Sequence, residues 1–189
     1  MTDASGRVVG LAAFAAYLTS IPLANWMIYH VGFCAAGAPC VIPVAPLLGG
    51  GALMAPSGVL MAGFALVLRD VVQRCLGLAW GLAAVIAGTA LSALVAPASL
   101  VFASAAAFLI SELADFGVYT PLQRRGLLLA VIASSALGLV MDSVVFLTLA
   151  FGSLAFLPGQ IVGKAWAVLV SVPLIRLLRR AELAKVPPA

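Results

Sequence analysis

Charge is what this sequence has least of. Only 8% of its residues are Asp, Glu, Lys or Arg, whereas 65% are hydrophobic. A soluble domain carries about 25% charged residues, so this chain lacks the polar surface that water demands. The same scarcity excludes a disordered or nucleic-acid-binding protein, because the net charge of +4 rests on ten basic residues spread along the chain. Histidine is limited to His30, and Cys34, Cys40 and Cys75 form no CxxC pair. No zinc set can be assembled from these, and no metal site is expected. HExxH, GxSxG and Walker motifs are absent, so neither catalysis nor a cofactor nor an ATP-driven engine is expected within the chain. The apolar runs do not alternate with polar residues, as the strands of a membrane barrel would. No small-x-small cleavage site interrupts the run that begins after Arg7 and passes Trp26, so no cleavable signal peptide is expected.

What remains is long apolar runs. At about 20 residues per span, six segments fit: 8–28, 52–68, 78–98, 100–121, 127–151 and 154–177. The expectation is an all-α polytopic membrane protein in a single transmembrane domain, 1–189. Nine of the ten basic residues then fall on one side: Arg7, Arg69, Arg74, Arg124, Arg125, Arg176, Arg179, Arg180 and Lys185. The positive-inside rule makes that side, with both termini and the tail 178–189, cytoplasmic. The opposite side has one long connection, 29–51. It is apolar, yet Pro39, Pro43, Pro46 and three consecutive glycines rule out a continuous helix. It is expected to pack over or into the outer mouth. Cys34 and Cys40 lie in it, either as a disulfide or as two small apolar side chains.

Four ionisable residues fall inside spans: Glu112 and Asp115 in the fourth, Asp142 in the fifth and Lys164 in the sixth. Each costs about 2.5–3.5 kcal/mol at mid-bilayer, so each should face the bundle interior. Glu112, Asp115 and Tyr119 are spaced i, i+3, i+7 on one helix face, and Gln160 and Lys164 are one turn apart. By the helical rise, Glu112 and Lys164 lie at similar depth, each roughly 18 Å from the cytoplasmic arginines. One buried base cannot neutralise three acids. A register-fixing ion pair would absorb Lys164 and one acid; the surplus points to a proton, a cation or a ligand rich in hydrogen-bond donors. Tyr119 reads as an interfacial anchor or a site wall, and Phe146 as packing or a site wall. Asn25 needs a partner if buried, and Trp26 suits the membrane interface. Asp70 pairs with Arg74 four residues on, or, with Arg69, serves gating or coupling. Ser104 and Ser134 fit simple back-bonding within their own helices.

The segments FASAAAFLISELADFGVYTPL, SSALGLVMDSVVFLTLAF and GQIVGKAW, together with APSGVLMAGFALVLRDVVQRCLG earlier in the chain, resemble the vitamin uptake transporter (VUT) family, also called the queuosine precursor transporter family. The resemblance covers about residues 10–175. It lies in an ordered set: an Arg-Asp pair, then SExxD, then DS, then one lysine. It implies a multi-pass importer in a bacterial inner membrane, carrying 7-deazaguanine precursors such as preQ0 or preQ1. Asp115, Asp142, Lys164, Asp70 and Asn25 match the family's polar positions, whereas Glu112 stands where an amide is usual. Gln160, Tyr119 and Phe146 complete the candidate substrate site. The expected cavity lies near mid-membrane between segments four, five and six, with Lys164 opposed to Asp142 or Glu112. The alternative function is a substrate-binding membrane subunit of a multi-subunit importer; a structural protein would pair off every buried charge and leave no cavity. The partners expected are the small-molecule substrate and the lipid bilayer, with no nucleic acid and with room for a homodimer.

Overall fold

A computed structural model describes residues 4–95, 98–122 and 127–183, and several side chains within these helices, including those of Glu112, Asp115 and Tyr119, lie outside the description. The chain forms six helices among the described residues: α1 Ala4–His30, α2 Val59–Leu76, α3 Leu78–Val95, α4 Ala98–Leu122, α5 Leu127–Phe151 and α6 Leu157–Leu183. Between α1 and α2 lie two strands, β1 Val41–Pro46 and β2 Ala52–Pro56, paired antiparallel. The fold is therefore mostly helical with one added hairpin, and the apolar run that begins at residue 52 is not one element. Its first residues are strand β2, and the helix starts only at Val59.

Proline explains the hairpin. Pro39 precedes β1, while Pro43 and Pro46 lie in it. Proline cannot donate to a ladder, but an edge strand tolerates it. The turn is made by Gly49, Gly50 and Gly51, all at positive φ of 103°, 99° and 87°, where a side chain would be strained. A bulge falls between Pro43 and Ala45, so Val44 drops out of register. Its carbonyl accepts instead from the Trp166 indole N–H of α6 at 3.0 Å. At the hairpin base, Cys40 N–H donates to Ile28 O at 2.7 Å, Ser57 N–H to Cys40 O at 2.9 Å, and Ser57 Oγ to Met27 O at 2.6 Å. Gly159 of α6 lies under β2, where a Cβ would come within 2.0 Å of Met54 O. The long connection therefore packs onto α1 and α6. Cys34 and Cys40 form a disulfide at its start.

The helices pack by small side chains. α1 and α2 close around Ala13, Val71 and Val72, flanked by Val9, Phe14, Leu68 and Leu76. A second cluster joins Tyr17, Ala65 and Ala84, with Phe14, Ile21 and Phe108 against it. Outward faces stay apolar: Ile86 is 71% exposed and Leu94 82%. Contiguous exposed apolar surface on this scale is foreign to a soluble monomer and suits a lipid surrounding. Among the described residues, the helical stretch Gly6–His30 is long and apolar enough by itself to cross a membrane; Leu78–Leu94, Leu100–Ser111 and Ala136–Phe151 are apolar but shorter. Ionisable residues interrupt the rest: Arg69, Asp70 and Arg74 in α2, Glu112 and Asp115 in α4, Lys164 in α6.

Candidate functional site

Lys164 is 1% exposed. A buried ammonium needs a counter-charge and hydrogen-bond acceptors, and α5 supplies both. Lys164 Nζ is ion-paired with Asp142 Oδ2 and donates to Ser143 Oγ at 2.9 Å. Ser143 in turn donates to Leu139 O at 2.8 Å, which fixes its oxygen toward the lysine. Of the two acids considered as partners for Lys164, the pair forms with Asp142.

The pair lies in the wall of a cavity of about 90 Å³. That exceeds the 10–15 Å³ needed to hold one water. Phe146 lines it one turn from Asp142, and Gln160 one turn from Lys164. Asn25 and Tyr17 contribute from α1, Ser92 and Thr89 from α3, Ser104 and Phe108 from α4. Asn25 donates through Nδ2 to Ile21 O at 3.0 Å and to Ser92 Oγ at 3.3 Å, a cross-helix tie that meets its need for a partner. The Tyr17 ring packs edge-on against Phe108, with centroids 6.4 Å apart. Tyr17 lies within electrostatic reach of both Asp142 and Arg69.

The walls differ from those expected. All six helices line the cavity, and α1 and α2 provide much of it, with Pro56 and Gly58 at the hairpin's exit. Lys164, Asp142, Gln160, Phe146 and Asn25 share one space. Glu112, Asp115 and Tyr119 fall in α4, with their side chains outside the described residues. Arg69 and Asp70 form an ion pair in the last two turns of α2. The Arg74 side chain lies outside the described residues. Sequence reasoning missed Tyr17, Ser92 and Thr89, and read Ser104 only as back-bonding. Each is a mildly polar residue within an apolar run, where a hydroxyl bonded to its own helix looks the same as one facing a cavity.

Trp26 is exposed and stacks on His30, with centroids 5.0 Å apart, as an interfacial aromatic would. Among the described residues no three His, Cys, Asp or Glu side chains converge on a metal position.

Residues 89–179 match a family described as putative vitamin uptake transporter. Over that stretch, just under half of the chain, the sequence is similar to vitamin uptake transporters. No curated protein and no solved structure matches it. The matched stretch carries Ser92, Phe108, Asp142, Gln160 and Lys164 of the cavity wall, and Ser143, which binds the lysine. Asn25, Tyr17 and the hairpin lie before it. The similarity is to membrane transporters of small molecules.

Proposed function

We propose that this protein imports a queuosine precursor, a 7-deazaguanine such as preQ0 or preQ1, across a bacterial inner membrane as a secondary transporter or facilitator. The observation that carries the reading is a buried lysine–aspartate pair in the wall of a cavity shared with two amides and three aromatic rings. A 7-deazaguanine presents an N1–H and a 2-amino group on one edge, donors that carboxylate and amide oxygens accept. Asp142 has a second oxygen for this. The flat ring needs apolar walls, which Phe108, Phe146 and Tyr17 offer.

In this reading all six helices cross the bilayer with both termini in the cytoplasm. The hairpin then faces the oxidising side, where a disulfide persists. A topology reporter fused after Ala189 should score as cytoplasmic; an external score overturns the orientation. The cargo is tested in a bacterium unable to make or import the precursor. Expression of this protein, with preQ0 or preQ1 fed at low concentration, should restore queuosine in tRNA. Failure with every 7-deazaguanine supplied, at confirmed membrane expression, overturns the assignment.

A further inference from the structure

Gln160 is 2% exposed, lines the cavity, and its Oε1 meets no hydrogen-bond donor among the described residues. Buried polar atoms are nearly always paired, so each exception calls for an explanation. Asn25 points the same way: both hydrogens of its amide are engaged, by Ile21 O and Ser92 Oγ, which leaves the carbonyl oxygen for a ligand. Asp142 engages Lys164 through Oδ2 alone, so Oδ1 also remains. The cavity thus offers acceptors from α1, α5 and α6. On the donor side, Lys164 has already committed two of its three hydrogens.

We propose that Gln160 is a specificity-determining residue, whose carbonyl oxygen accepts an N–H from the ligand and selects heterocycles with a donor-rich edge. This rests on the reading above that the cargo is a 7-deazaguanine, and it adds the discriminating group: the exocyclic 2-amino group. It also assigns Gln160 the opposite role to the one its amide N–H would suggest, which is to donate to the ligand's carbonyl. A base without the amino group leaves the buried oxygen unmatched, and a site built around a hydrogen bond rejects an analogue lacking it.

The test is calorimetric binding to the purified full chain in lipid nanodiscs, with 7-deazaguanine and 7-deazahypoxanthine, which differ by that amino group. The wild type should bind the amino base at least about tenfold tighter, the equivalent of one hydrogen bond. Gln160→Leu should lose about that factor for the amino base and bind both bases alike. Its melting temperature without ligand should be unchanged or higher, because no donor is orphaned by the substitution. A purely structural glutamine would lower the melting temperature and leave the preference intact. Equal affinity of the wild type for the two bases overturns this proposal while leaving the ligand class standing. Retention of the preference in Gln160→Leu overturns it as well. Failure of the wild type to bind either base overturns both this proposal and the cargo reading.

Discussion

At the hairpin end of the bundle, separate elements are joined by directional polar ties. Ser57 and Cys40 bond to the last turn of α1, Trp166 reaches Val44, and a disulfide closes the start of the loop. At the Arg69 end, α1 meets α2 through Ala13, Val71 and Val72 with apolar neighbours. There the Arg69–Asp70 pair joins adjacent residues, with the Asp70 side chain 61% exposed. The contrast follows from the surroundings. A strand pair has carbonyls and N–H groups to tie, so it can be fixed by hydrogen bonds. Helices in lipid have spent theirs internally and gain little from burying apolar surface, so they associate by close packing of small residues. The Lys164–Asp142 pair stands between the two regimes as a polar tie inside helix packing.

Breaking that middle tie should have the largest effect. Lys164→Met strands Asp142 and should cost about 3–5 kcal/mol, the usual penalty for breaking a buried pair. It should be seen as a large fall in melting temperature and loss of uptake, and Lys164→Met with Asp142→Leu should recover folding but not transport. Next is the disulfide: Cys34→Ser with Cys40→Ser should destabilise by about 2 kcal/mol from loop closure. The loss should be confined to the hairpin end, visible as faster proteolysis within 31–56 while the helices stay protected. Trp166→Phe removes one hydrogen bond to the hairpin and should cost about 1 kcal/mol, again as hairpin proteolysis. Asp70→Asn, at the far end and with its side chain 61% exposed, should lower the melting temperature less than Lys164→Met does, because water screens the carboxylate. An Asp70→Asn effect as large as that of Lys164→Met would dissolve the distinction between the two ends.

The sequence made the helices and the buried pair legible for different reasons. Length and apolarity mark the helices without fixing their faces, because runs such as α3 are apolar all round and carry no stripe. The cavity was therefore placed between the charged helices, with Asn25 of α1 added through the resemblance, and the contributions of Tyr17, α2 and α3 were missed. Lys164 and Asp142 were legible because a charge in a span has to face inward. The prolines and glycines of 39–51 announced a non-helical segment that packs on the bundle. Its pairing with 52–56 was hidden, since Ala52–Pro56 reads as a continuation of the apolar run that follows.

The pairing of α4 with α5 has a mechanical consequence. Among the described contacts, these two helices pack closely on each other and meet the rest of the bundle along narrower seams, α4 against α3 and α5 against α6. The second seam holds the Lys164–Asp142 and Lys164–Ser143 contacts. Among the described residues, the α4–α5 pair is thus a panel with an electrostatic catch on α6. Weakening that contact lowers the work of swinging the panel. The same two side chains that border the cavity would then also set the threshold for opening it.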